Sequence, residues 1–322
     1  MIDLGRGVAL GMSRLARIRL RGRRWLLCAL ALWLLPLGAR AGEALVVLSD
    51  FSPSYNELLA AVREHATHPI RVVTLDRLKP DDSGTEVILA VGTRACERML
   101  ERYLPQSKLI CTFLPSSTFT QLERKLLPRG SHAAVSAIFI DQPLARQVRL
   151  ARLISPAATT LGTALGSNSL ALRTALEQAA RAEAFELSLV ELEQQDNPMQ
   201  RLAPLVQGSD LFLVVPDSAV FNRAISRWVL YLSLRHKVPV IGFSASYTEA
   251  GAVASVHSSA AQIGRQSAEW LDRLQTGGDL PRASHPRYFE VSVNPLAAQT
   301  LGLDPPSAQW LRQKLARTEA EG

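Results

Sequence analysis

The 322-residue chain reads as an α/β protein made of two doubly wound parallel-sheet lobes joined by a hinge. Three observations carry this reading. Apolar runs of five to eight residues alternate with helix-like segments along the chain beyond residue 41, the signature of repeated βα units. The runs are unbroken rather than alternating in polarity, as strands covered on both faces require. The units come in two successive sets without a charged or Gly/Ser-rich tether between them, and the remaining length suits two lobes of about 140 residues each.

In the first set, strands are predicted at Ala44 to Leu48 (ALVVL), Ile70 to Leu75 (IRVVTL), Val87 to Val91 (VILAV), Leu109 to Leu114 (LICTFL) and Ala133 to Ile140 (AAVSAIFI). Helices are predicted at Tyr55 to His65, Arg94 to Tyr103 and Thr120 to Leu127. A further helix should follow the fifth strand, with Asp141 as its cap and Pro143 in its first turn.

The second set predicts strands at Thr159 to Leu165, Phe185 to Val190, Leu211 to Val215, Val238 to Phe243 and Ala252 to Val256. Its helices start at Ser169 and cover Met199 to Val206 and Ala219 to Leu234. Leu172, Ala175, Leu176 and Ala179 recur at helical spacing and form one apolar stripe. Phe221, Ile225, Trp228 and Leu232 form another. Both are read as core packing, not as a cofactor box.

The net charge of +7 sits entirely in residues 1 to 41, which hold eight arginines and one aspartate. The rest of the chain carries 28 bases and 28 acids, so a basic partner-binding surface loses its main argument and nucleic acid is not expected as a partner. A cationic stretch from Arg14 to Arg24 precedes the apolar run Trp25 to Leu37, and Ala39-Arg40-Ala41 follows with small residues at signal-peptidase spacing. This is a signal peptide over 1–41, with cleavage expected after Ala41. The apolar run is too short to span a membrane, which takes roughly 20 residues. Translation could start at Met1 or at Met12. Cys28 lacks the small preceding residue that a lipid anchor needs.

The mature chain keeps Cys96 and Cys111, one in a predicted helix and one in the next strand. In a secretory compartment they are either a disulfide or two buried thiols. The histidines are scattered and no C-x-x-C occurs, so no metal or other cofactor is expected.

Candidate site residues come from the carboxyl ends of the strands, where open α/β sheets bind ligands. These ends are rich in hydroxyls: Ser49, Thr93, Ser116, Ser117, Ser167, Asn168, Asp217, Ser218, Ser244 and Tyr247 are the expected ligand-binding set. Each of the small polar residues has a second reading, as a cap of its own helix. No phosphate-binding glycine loop and no H-E-x-x-H motif is present. The segment Gly242 to Ser246 stops one residue short of a nucleophile elbow, and no histidine can be assigned as its base. No enzyme activity is expected.

Several segments resemble a known family. Val238 to Gly242 (VPVIG), Glu249 to Ser255 (EAGAVAS), Ile263 to Ser267 (IGRQS) and Val293 to Leu303 (VNPLAAQTLGL) are similar to segments of tryptophan/tyrosine-type substrate-binding proteins of ABC transporters. Val91 to Ala95 (VGTRA) and Val215 to Ser218 (VPDS) are similar to two further segments of that family. The resemblance implies a type I periplasmic binding protein-like fold with three crossovers. One lobe would span 42–137 plus about 257–284, and the other 138–256 plus about 285–322. It also implies that Thr93, Asp217 and the turn from Ser244 to Gly251 line the cleft. The sequence departs from the family at Ser218, where an asparagine is usual, and in the turn from Ser244 to Tyr247.

In that frame Asp217 would accept hydrogen bonds from a ligand ammonium, Thr93, Ser116 and Ser117 would hold a carboxylate, and Tyr247 would stack on an aromatic part. The expected function is capture of a small amino-acid-like or aromatic ligand in the periplasm, by a monomer that serves an ABC permease of the inner membrane. The alternative is a ligand-sensing or protein-interaction module of the cell envelope with the same fold.

Overall fold

The computed structural model describes residues 42–102, 106–128, 134–193, 195–217 and 219–321. The signal-peptide assignment, both start codons and Ser218 lie outside these residues. The first sheet is built from β1 (Ala44–Leu48), β2 (Ile70–Thr74), β3 (Val87–Val91), β4 (Lys108–Leu114) and β5 (Ala134–Phe139). Between them run α1 (Pro53–His65), two short 3-10 turns, α2 (Thr93–Glu101) and α3 (Ser116–Leu126). Its strands are all parallel, in the order β2-β1-β3-β4-β5.

The chain then enters α4 (Leu144–Ile154), β6 (Thr160–Leu165), α5 (Arg173–Ala182), β7 (Glu186–Glu191), α6 (Pro198–Gln207) and β8 (Leu211–Leu213). It continues through α7 (Arg223–His236), β9 (Val240–Gly242), α8 (Ala245–Glu249) and β10 (Ala254–His257). After β10 come α9 (Ala260–Gln275), β11 (Glu290–Val293), α10 (Pro295–Thr300) and α11 (Ala308–Glu321). The second sheet has the order β11-β10-β9-β8-β6-β7, and β11 is antiparallel to β10.

The unbroken apolar strands are explained by what covers each face. Alternate residues of a strand point to opposite faces. Ala44, Val46 and Leu48 of β1 pack with Leu58 and Val62 of α1 and with Ile263 and Leu271 of α9. Leu45 and Val47 pack on the other face with Met99 of α2 and Phe119 of α3. In β6, Leu161 and Leu165 belong to one core and Ala164 to the opposite one. Each lobe therefore has two cores, one on either face of its sheet.

Helix α9 follows a strand of the second sheet yet packs on α1 of the first lobe. Gly264 makes this approach possible: a Cβ there would collide with the Leu58 carbonyl oxygen and sit 2.9 Å from the Ala61 Cβ. Beyond α9, Ser284 lies along the edge of the first sheet, donating to Ala137 O at 2.9 Å and accepting from Phe139 N at 3.0 Å. The chain then returns to β11. It passes between the two sheets three times, just after β5, after β10 and after Ser284.

Cys96 of α2 and Cys111 of β4 form a disulfide, with Cα atoms 5.3 Å apart; both residues are fully buried. The pair that sequence left open is thus a covalent tie between a helix and the strand that follows it.

Several local expectations change; the helix expected from Ser169 begins at Arg173. Helix α3 starts at Ser116, four residues before the predicted Thr120. Helix α7 starts at Arg223, because Asn222 Oδ1 accepts from Ala224 N at 3.0 Å and Ile225 N at 3.1 Å, and so caps it there. Asp141 does not cap α4, whose preceding residue is Pro143 with no side-chain cap. Its carboxylate turns to α3 instead.

Candidate functional site

A cavity of about 460 Å³ opens where the two lobes meet. Pro115, Ser116 and Ser117 bring the carboxyl end of β4 and the start of α3 to it. Asp141 to Ala145 and Gln147 contribute the first crossover and the first turns of α4. The opposite wall is Leu172, just before α5, and the face of α5 bearing Ala175, Gln178, Ala179 and Ala182, with Val215 and Pro216 from beyond β8. His285, in the third crossover, completes the lining. The volume lies within the roughly 300–1,000 Å³ typical of small-molecule sites, and the walls are mainly apolar with a few polar groups, as such sites are.

The polar corner is organised around Asp141. Its Oδ1 accepts from Ser116 N at 2.7 Å and its Oδ2 from Ser116 Oγ at 2.6 Å. His285 Nε2 lies 3.3 Å from Oδ2. Burial pushes the Asp141 carboxyl up, but the hydrogen bonds from His285 and Ser116 outweigh it and hold the pKa below its ordinary value. The group is therefore a carboxylate at neutral pH, and it satisfies the first amide of α3 from a distance of 25 residues.

The crossovers beside this corner are tied to one another. Gln142 Nε2 donates to Ser258 Oγ at 2.8 Å, and Ser258 Oγ donates to Tyr288 O at 2.6 Å. Arg146, 5% exposed, donates from Nη1 to Gln142 Oε1 at 2.5 Å and to Pro286 O at 3.2 Å. Its other donors meet the Glu319 carboxylate of α11 at 2.5 and 2.6 Å. Its guanidinium stacks over Phe289, 4.0 Å from the ring centre.

Of the residues expected from the strand ends, Ser116 and Ser117 line this cavity. Ser49 is buried and serves the fold: its Oγ donates to Val91 O at 2.8 Å and accepts from Ala95 N at 2.9 Å. Thr93 begins α2 after Gly92, whose φ of 85° suits glycine. A Cβ at Gly92 would meet the Tyr55 hydroxyl and Ser49 Oγ, so this strand end is a packed turn. Ser167 and Asn168 are exposed in the turn after β6.

Asp217 departs from its expected role. It is 4% exposed, and its oxygens accept from Gly166 N at 3.1 Å, Ser169 Oγ at 2.7 Å, Asn168 Nδ2 at 3.3 Å and Ala219 N at 2.8 Å. Those donors occupy the acceptor capacity that a ligand ammonium would need. Tyr247 is also buried, with its ring 4.9 Å from that of Phe243 and its hydroxyl 2.5 Å from Ser226 Oγ. Burial raises its pKa despite the Ser226 hydrogen bond. Ser244 and Tyr247 line a separate pocket with Arg223 and Arg227 of α7. Among the described residues, no group of three or more His, Cys, Asp or Glu side chains could hold a metal ion.

Sequence reasoning missed Asp141 as a site residue, along with Gln147, His285 and the cavity face of α5. The stripe read as core is divided: Leu176 is buried in the core, Ala179 is buried but reaches the cavity wall, and Leu172, just before α5, and Ala175 face the cavity. A signal for Gln147 was present. It falls in register with Leu144, Val148, Ala151 and Ile154, a polar residue inside an apolar stripe.

No family model and no curated protein matches the chain. Solved structures do. A conserved domain protein from Vibrio cholerae is 18% identical and covers 84% of this chain and 98% of its own, with a TM-score of 0.57. An ABC domain in complex with L-Trp from Streptococcus pneumoniae is 15% identical, covering 83% and 96%, with a TM-score of 0.56. The ligand-free, open structure of a substrate-binding protein with adhesive properties from Clostridium difficile is 16% identical, covering 83% and 96%, with a TM-score of 0.64. Likeness at such identities speaks to architecture: the chain has the two-lobed α/β fold of type I periplasmic binding protein-like proteins.

Proposed function

We propose that this protein is a non-enzymatic, extracytoplasmic solute-binding protein that captures a small molecule between its lobes and delivers it, as a monomer, to an ABC-type permease. The observation that carries this reading is the cavity at the carboxyl ends of β4 and β5, closed on its far side by α5 and the end of β8. Ligands of open α/β sheets bind at such strand ends. Chain crossings confined to three short segments suit closure by hinge bending. The substrate-binding proteins among the structural neighbours support the same reading.

Export is supported by the cationic and apolar segments ahead of Ala41 and by the Cys96–Cys111 disulfide, a bond favoured in oxidising compartments. Among the described residues, no helix is long and apolar enough to cross a membrane.

The test is native mass spectrometry of protein exported to the periplasm, combined with small-angle scattering before and after removal of any bound molecule. A small molecule that co-purifies and compacts the particle is the expected result. Failure of a broad solute panel to bind would overturn the reading. The adhesive properties of the Clostridium difficile neighbour favour one alternative, an envelope interaction module, which would retain a protein partner without binding a solute.

A further inference from the structure

We infer that the interlobe cavity is built for an uncharged, largely apolar molecule that donates a hydrogen bond to Gln147, and not for a zwitterionic amino acid. The inference rests on the cavity being the ligand site.

Gln147 is 1% exposed and lines the cavity. Its Nε2 donates to Gln142 O at 3.1 Å, whereas its Oε1 is buried with no hydrogen-bond partner. The orientation of the amide follows from that contact: a flipped amide would set oxygen against the Gln142 carbonyl oxygen. A buried acceptor without a donor is costly, and a ligand that brings a donor to Oε1 while Nε2 keeps its bond to Gln142 O would remove that cost.

Charge points the same way. The titratable side chains on the wall are Asp141 and His285, which face each other at 3.3 Å. Among the described residues, no lysine or arginine lines the cavity. The first amide of α3, which could have received a ligand carboxylate, is already bonded to Asp141. A carboxylate entering here would be desolvated beside an existing carboxylate, with no cation of its own. Leu144, Leu172, Ala175, Ala179, Val215 and Pro216 instead offer an apolar surface whose small α5 side chains leave room for a flat or branched body.

The experiment compares indole, which has an N–H donor and no charge, with 1-methylindole, which lacks the donor, and L-tryptophan, which adds the zwitterion. Binding is measured by isothermal titration calorimetry and ligand-observed NMR. Indole should bind about tenfold more tightly than 1-methylindole, the ratio that one hydrogen bond supplies, and more tightly than L-tryptophan. Gln147→Leu should remove the preference for indole over 1-methylindole. Ala175→Phe, at an exposed position of α5 and so tolerated by the fold, should abolish binding of all three.

L-tryptophan binding more tightly than indole, and blocked by Ala175→Phe, would overturn the ligand class and leave the cavity as the site. Binding of any probe that Ala175→Phe leaves unchanged would overturn the cavity itself. Absence of binding by all three overturns the inference, while the solute panel decides separately whether the protein binds solutes.

Discussion

Gln142 Nε2 donates to Ser258 Oγ at 2.8 Å, joining the first crossing of the chain between its sheets to the second. Ser258 passes the link to the third crossing through Tyr288 O. Ser258→Ala removes an acceptor and a donor at once and leaves Gln142 Nε2 and the Tyr288 carbonyl without these partners. The loss should be about 1–2 kcal/mol, read as a lower urea midpoint at unchanged slope. An unchanged midpoint would show that water replaces the hydroxyl at no cost.

The Cys96–Cys111 disulfide closes a loop with a sequence separation of 15. In the chain-entropy account a loop of that size contributes about 3 kcal/mol. The double variant Cys96→Ala/Cys111→Ala should lose stability of that order in denaturant titrations. Thiol labelling of Cys96 and Cys111 in the unfolded wild-type protein should appear only after reduction.

Acid should weaken the fold in two stages. Burial lowers the His257 pKa, against the opposing pull of Glu290 and Glu249. For a base whose folded pKa lies below its unfolded one, the unfolded state binds more protons, so stability is full above the unfolded value of about 6.5 and declines as pH falls below it. Asp141, held low in the folded state, contributes stability present above about pH 4 and lost as pH falls through its folded pKa. Thermal unfolding between pH 7.5 and 5 should show the first decline in the wild type and a flatter profile in His257→Gln. A profile identical in the two proteins would contradict the assignment.

Asp217 accepts four hydrogen bonds, and three of them, from Gly166 N, Asn168 Nδ2 and Ser169 Oγ, hold the turn after β6 to the segment after β8. Asp217→Asn replaces one accepting oxygen with a donor that faces other donors, at a cost of about 2 kcal/mol. Binding in the interlobe cavity, measured at a temperature where the variant is folded, should be unchanged. A large drop in affinity with no loss of stability would restore Asp217 to the ligand.

The fold was legible in the sequence because both faces of each sheet are covered, so strands such as Ala44 to Leu48 are apolar at every position. The site was less so. Hydroxyl-rich strand ends are needed for turns and helix starts in any case: Ser49 and Asp217 are absorbed by Ala95 N, Gly166 N and similar groups. Residues that do meet in the cavity come from separate segments, and Asp141 meets Ser116 only because β4 and β5 are neighbours in the sheet. Small residues such as Ala175 form a cavity wall by what they leave unfilled, which no local pattern of apolar spacing distinguishes from core.

The seating of α9 on α1 has a consequence for how the molecule is made. Residues 53–65 find their covering helix about 200 positions later, after nearly the whole second sheet has been synthesised. During synthesis the first sheet is therefore left with one face covered by α1 alone. Contacts of such long sequence separation form slowly, and partly covered sheets are prone to aggregate. A fragment ending before Ala260 lacks the helix that completes its own core, and one beginning after Phe139 carries α9 without the face it covers.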